Sequence, residues 1–507
     1  MVTSPRVRRS PSRAARRATL LLALGSGTLA AQQAPPGRIV LEGGTVIDVS
    51  TGERLADAVV VIASGRIERV APSSAFRRER GDRVVGVKGS FIIPGLWDMH
   101  VEQALPLHPG FDVDSGAALL HPLFIAYGVT GVRDVAGSLP TLRRWQRELD
   151  EGSRVGPRMI VTGPKLSPRA TNATKRVTTV AEGIAAATEL RLAGAQAIYI
   201  SDIEGALHEP LIAAMRAAGL AVEGTLPDAT SLWTAAERGQ RVVDHFDGAL
   251  LAASRNEGWA RRLVRWNAER PLWLRILWKL GLVDRPAEPG VVAARRWSEA
   301  RATALAQHLA THRTYQVPTL RLLGTLMQAG DSLLRLPPSP LELRPPKAPW
   351  QGWETRPVDA SHPRAETWRA ILRTVGIMQR AGVPIMAASD APNLYAAPGL
   401  GLHDELGLLV RAGLTPLQAL RAATLTPAEY LGATDTLGAV AAGRVADLLV
   451  LDADPTLDIA HTRRIRAVMA RGRLFERRAL DSLTALGVSR AREVERFWIA
   501  DRARKGQ

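Results

Sequence analysis

The chain has 507 residues, 46% hydrophobic and 23% charged, which suits one large α/β unit plus a smaller domain. It contains no Cys, which excludes disulfides and thiolate metal sites. The net charge of +17 comes from scattered basic residues without a nucleic-acid motif, so it bears on acidic substrates or a lipid surface and not on fold.

The N-terminus reads as a leader. Arg6, Arg8, Arg9, Arg13, Arg16 and Arg17 precede the apolar stretch Ala18 to Leu24, and small residues follow as far as Ala31-Gln32. This is a signal-peptide pattern, too short to span a bilayer. Arg16-Arg17 also admits a twin-arginine route. Cleavage after Ala31 removes six Arg and no acid, taking the charge from +17 to +11. Residues 1–31 are therefore expected to direct export to the periplasm or the extracellular space. No later stretch is apolar enough to cross a membrane.

Residues 38–90 read as short strands. Arg38 to Asp48 and Ala58 to Ala63 are β-branched runs, the second closed by Ser64-Gly65. Residues 436–478 read likewise, with Leu448 to Leu451 and a pair of strands turning at Gly472. The two ends are expected to pair into one small β-sandwich. Between them, over 91–435, strands alternate with helical patterns, as a parallel (β/α)8 barrel requires. Strands are expected at Val129–Asp134, Arg158–Thr162, Ala197–Ile200, Ala221–Glu223, Val242–His245, Tyr315–Thr319 and Pro384–Asp390, with helices at Thr179–Leu192 and Glu366–Arg380. The insertion Trp259–Trp297 holds five of the twelve Trp and should cover the barrel mouth as packed helices, a lid or a peripheral membrane contact. Leu334–Pro363 is Pro-rich and expected to be a long loop. Residues 479–507 are expected to form a basic helical tail.

The first barrel strand carries the chemistry. Phe91-Ile92-Ile93-Pro94-Gly95-Leu96-Trp97-Asp98-Met99-His100-Val101-Glu102 is an apolar run, broken by Pro-Gly, that ends in polar side chains. Alternation along a strand points His100 and Glu102 the same way. This run resembles the first barrel strand of the amidohydrolase superfamily, whose pattern ends in His-x-His. Here Glu102 replaces the second His. Leu414 to Thr424 and Ala442 to Leu448 are most similar to the imidazolonepropionase and prolidase-type branch.

The resemblance implies a (β/α)8 barrel with an added β-sandwich and a binuclear metal site. That site would use His-x-His, a carboxylated Lys on strand 4, a His on each of strands 5 and 6, and an Asp on strand 8. His245 and Asp390 match the last two. Tyr199 stands where the Lys is implied and Glu223 where the strand-5 His is implied. A tyrosine with its ordinary pKa of about 10 is neutral and cannot replace an anionic bridge. Lys165, after strand 3, reads as a surface residue before it reads as a substitute. A single divalent metal (Zn, or Mn or Fe) is expected instead, on His100, Glu102, Glu223, His245 and Asp390. Three carboxylates meeting in a dry barrel need a metal, protonation, or a buried Arg such as Arg133 or Arg321.

The expected function is hydrolysis of a C–N bond in a small amide or dipeptide-like substrate. Asp390 would move the proton and His245 would ligate the metal or stabilise the oxyanion. The alternatives are a non-catalytic barrel that keeps its pocket for binding and an envelope-surface interaction protein.

Overall fold

The computed structural model describes residues 37–504 apart from 108–109, 269–270, 272–287, 328–333, 335–358, 360 and 393–395. The leader 1–31, most of the Pro-rich stretch, and Trp273 and Trp278 lie outside these residues. Strands β1 (Ile39–Ile47), β2 (Arg54–Ala63) and β3 (Arg66–Pro72) form an antiparallel meander. Runs such as Val59-Val60-Val61-Ile62 favour it because β-branched side chains fit a pleated surface. Strands β4 (Arg83–Gly86) and β5 (Phe91–Pro94) both run parallel to β1.

The apolar run at 91–102 thus divides between two sheets. Its first four residues belong to the β-domain, not to the barrel as expected, and Gly95 makes the switch. A Cβ there would fall 2.1 Å from the Thr130 hydroxyl, so only glycine lets the strands approach. Strands β6 (Leu96–Val101), β7 (Val129–Asp134) and β8 (Arg158–Val161) then form a parallel sheet.

A second parallel sheet contains β9 (Lys165–Ser167), β10 (Thr174–Arg176), β11 (Ile198–Ile200), β12 (Val222–Gly224), β13 (Gln240–Asp244) and β14 (Tyr315–Val317), in the order β10-β9-β11-β12-β13-β14. Strands β9 and β10 have no counterpart in the sequence reading, because three-residue strands leave no readable period. Residues 384–391 connect the two sheets through the parallel bridges Gln316–Ile385 and Val101–Ala391. The amide of Gln196, just before β11, donates to the Val161 carbonyl at 2.8 Å. Helices stand between successive strands, among them Val180–Leu192 and Pro363–Arg380, close to their expected limits. Thr179 caps the former by accepting from the Glu182 amide.

The C-terminal part of the chain returns to the first sheet. Strand β15 (Leu448–Leu451) pairs antiparallel with β5, and β16 (Ile465–Ala470) and β17 (Arg473–Glu476) extend the edge. The amides of Ile67 and Ala446 bond to the carbonyls of Arg444 and Gly65, so the far edge at β3 meets the chain just before β15. Leu41, Val60, Ile92, Leu448 and Met469 fill the interior of this β-domain. The fold is therefore of the α/β barrel type with a β-domain built from both ends of the chain.

The residues expected to be a tail form the helix Arg477–Arg504, which is packed rather than loose. Leu480, Leu483, Ala491 and Val494 are buried, and Gly487 lies so close to Leu123 that a Cβ would sit 2.4 Å from its Cδ2. The described ends of the Trp insertion are also packed helices. Arg296 lies 4.0 Å over the Trp259 ring, Trp297 donates to the Thr374 hydroxyl at 2.9 Å, and Val291 to Ala294 are buried. Among the described residues no helix is long and apolar enough to cross a membrane.

Candidate metal and active site

Three of the five expected ligands come together. His100, His245 and Asp390 each offer a ligand atom, and these atoms all lie within 4.8 Å of one another. His100 reaches the cluster from β6 and is fully buried. Its Nε2 lies 3.2 Å from Asp390 Oδ1 and its Nδ1 lies 3.2 Å from Asp244 Oδ2. Both are ion-pair distances without aligned hydrogen bonds, so the two nitrogens lack hydrogen-bond partners. Burial pushes this imidazole toward neutrality, but Asp244 and Asp390 outweigh it and raise its pKa to about 9.

His245 and Asp390 reach the same point by an unusual backbone. Strand β13 ends at Asp244, and His245 follows at φ +58°. Asp390 has φ +60°, and Thr319, against which His245 rests, has φ +46°. L-residues pay for this left-handed region, and such strain collects at functional sites. The amide of His245 is fixed on the Val317 carbonyl at 2.9 Å and that of Asp390 on the His100 carbonyl at 3.0 Å. His245 Nδ1 is 3.0 Å from the Thr319 hydroxyl, which leaves Nε2 as the nitrogen available to a metal. Burial and the charge on His100 push the His245 pKa down. Burial opposes ionisation of Asp390, but the His100 imidazole beside it prevails and lowers its pKa.

The two glutamates are held elsewhere, which corrects the five-ligand expectation. Glu223 is fully buried and accepts from Arg133 Nη1 at 2.7 Å and from the Tyr430 hydroxyl. Glu102 pairs with Lys165 Nζ. The buried cation is Arg133, which also donates to both oxygens of Asp244, at 2.7 and 3.0 Å, and to the Met99 carbonyl at 2.6 Å. Arg321 instead pairs with Asp404 at 3.2 Å. Tyr199 lies edge-on to His100, with ring centroids 6.0 Å apart. Its hydroxyl feels Asp244 but has no aligned hydrogen-bond partner, and burial raises its pKa. Lys165 is half-buried, not a surface residue, and its ammonium stands 5.1 Å from the Tyr199 ring centroid.

Asp244, Thr319 and the pairing of Lys165 escaped the sequence reading. Asp244 was visible as the residue before His245, at the end of an apolar strand. Nothing local marks a positive φ at a histidine, and without that turn strand alternation would send Asp244 inward and His245 outward.

Two imidazoles and one carboxylate form a donor set that fits one divalent cation. The unsatisfied nitrogens of His100 fit such an ion as well. Among the described residues a second ion finds no comparable set, because Glu102, Tyr199 and Glu223 face protein cations.

This α/β barrel with its β-domain has the fold of solved amidohydrolase structures. Residues 371–475 match the Amidohydrolase family in sequence. An adenine deaminase of Paracoccus denitrificans (strain Pd 1222) is 32% identical over 107 residues, which are 19% of this chain and 18% of the relative, so the match spans under a fifth of that protein. Among solved structures, AH, the bottromycin amidohydrolase, has a TM-score of 0.66 at 22% identity, covering 89% of this chain and 90% of that one. A Xaa-Pro dipeptidase with bound methionine in its active site has a TM-score of 0.60 at 17% identity, covering 87% and 100%.

Proposed function

We propose that the protein is an exported, metal-dependent hydrolase of C–N bonds in small amide or dipeptide-like substrates. The observation that carries this reading is the convergence of His100, His245 and Asp390 on one point of an amidohydrolase-type barrel. These three side chains would hold one divalent ion, Zn, Mn or Fe. When bound, the ion supplies a water acidified to a pKa of about 7 and a polarised substrate carbonyl. Asp390 takes the proton of the attacking water and returns it to the leaving nitrogen. Thr319 fixes His245 by its Nδ1, so the ring keeps one orientation through the reaction. Arg133 neutralises Glu223 and Asp244 beneath the reacting groups.

The test is hydrolysis of a panel of dipeptides and cyclic amides by purified protein, with and without chelator. Chelator-sensitive release of amine or ammonia supports the reading. Near-stoichiometric metal without turnover on any member of the panel favours a binding module. Export rests on the Arg-rich leader, and a mature chain that begins at Gln32 in the periplasmic fraction would support it. We also propose a peripheral membrane contact through residues 259–297, where Trp266 stands 51% exposed. Protein that stays out of the floated liposome fraction removes that part.

A further inference from the structure

We infer that Lys165 and Arg133 supply, as protein-borne charge, what a second divalent ion would otherwise bring. On this inference the site takes a single ion, and Lys165 presents the second positive charge to the substrate. It rests on the metal-dependent reading above and gives it a stoichiometry and a further residue.

The positions that would have to hold a second ion are Glu102, Tyr199 and Glu223, and each faces a protein cation. Glu102 pairs with the Lys165 ammonium, which also stands by the face of Tyr199. Glu223 pairs with the Arg133 guanidinium at 2.7 Å. The Arg133–Glu223 pair is fully buried and the Lys165–Glu102 pair partly so, and charge in such pairs is screened much less than at the surface.

The charge balance supports one ion and opposes two. Four carboxylates pair directly with the imidazole or the cations of the cluster: Glu102, Glu223, Asp244 and Asp390. Lys165 and Arg133 offset two of them. A single divalent ion on neutral His100 and His245 offsets the other two. A second divalent ion would leave two uncompensated positive charges in a water-poor cavity, at a steep desolvation cost.

The two cations differ in reach. Arg133 has no exposed side-chain surface, and its guanidinium is taken up by Met99, Glu223 and Asp244. Lys165 keeps 17% of its side-chain exposure and its partner Glu102 keeps 10%, so this pair lies toward solvent. An ammonium has three donors, and the pair with Glu102 leaves donors for a substrate carbonyl or carboxylate. Lys165 stands over the face of Tyr199, whose ring lies edge-on to His100, so its charge is one aromatic ring away from a candidate metal ligand. Preorganised positive charge at such a point stabilises a developing oxyanion.

Titration with Mn2+ followed by electron paramagnetic resonance tests this. Wild-type protein should show an uncoupled six-line signal saturating at one ion per chain. Lys165→Met should keep that stoichiometry and bind Mn2+ roughly threefold tighter or more, because a like charge beside the ion is gone. Its turnover should fall about tenfold or more, and Lys165→Arg should restore part of it. Opposite changes in ion affinity and turnover would not arise from a merely structural lysine. An exchange-coupled pair, or two ions per chain, overturns the inference and leaves the hydrolase reading standing. Weaker Mn2+ binding in Lys165→Met also overturns it. The expected Mn2+ behaviour without turnover on any amide overturns the hydrolase reading and leaves the charge substitution standing.

Discussion

His100 comes from β6 and Asp390 from residues 384–391, almost 300 residues later, yet they meet twice. The imidazole Nε2 lies 3.2 Å from Asp390 Oδ1, and the Asp390 amide donates to the His100 carbonyl at 3.0 Å. The backbone bond fixes where the carboxylate starts and so fixes where it points. Asp390→Asn keeps that backbone contact and the side-chain volume and removes the carboxylate charge, which serves as proton acceptor, metal ligand and partner of His100. C–N hydrolysis is expected to fall about a hundred- to ten-thousand-fold. Full activity in this variant would show that the proton moves through another group.

Arg133 has the opposite profile, with a large effect on stability. Burial disfavours its charge, but Asp244 and Glu223 more than compensate and raise its pKa. Arg133→Met strands both carboxylates in the barrel, at a cost of about 3–5 kcal/mol in urea unfolding. Adding Glu223→Gln removes one stranded charge and should recover part of that loss. A double variant no more stable than Arg133→Met alone would show that the Glu223 pair contributes little.

How far the sequence revealed this site depended on how local each signal was. Strand β7 matches its expected limits because Val129 to Asp134 carries its own pattern. His100 and Asp390 were legible because each ends a strand-like run. The partners of Glu102 and Glu223 were not, since Lys165 and Arg133 belong to other strands, and only the barrel closing the distance selects Arg133 over Arg321. The handover at Gly95 was hidden for a similar reason: what forbids a side chain there is Thr130 on the neighbouring strand.

A similar close approach anchors the barrel floor. A Cβ on Gly131 would lie 2.2–2.6 Å from ring atoms of Trp97. Trp97 is 4% exposed, so the ring has little room to yield. Gly131→Ala is expected to cost about 1–3 kcal/mol by overpacking, read as a lower urea midpoint. Gly131→Ala with Trp97→Leu should unfold later than Gly131→Ala alone if the ring is what the methyl meets.

The pH dependence of stability has a separable contribution from His121. It is fully buried on the helix Val113–Ala126, edge-on to Trp145 at 5.2 Å, and neither nitrogen has a hydrogen-bond partner. Burial, with help from Arg154, lowers its pKa from 6.5 to about 3. The folded state therefore resists a proton that the unfolded chain accepts. The stability this contributes is complete above pH 6.5 and is lost as pH falls toward 3, at about 1.4 kcal/mol per pH unit. Asp134 and Asp247, raised to about 7 chiefly by burial, act in the other direction, because their folded forms hold protons that the unfolded chain releases. The wild-type profile mixes both signs, so the informative quantity is its difference from His121→Leu. Between pH 6.5 and 4.5 the wild type should lose about 2 kcal/mol more than this variant in urea unfolding. Parallel profiles would mean that the ring gains a proton in the folded state after all, with water reaching the space beside Trp145.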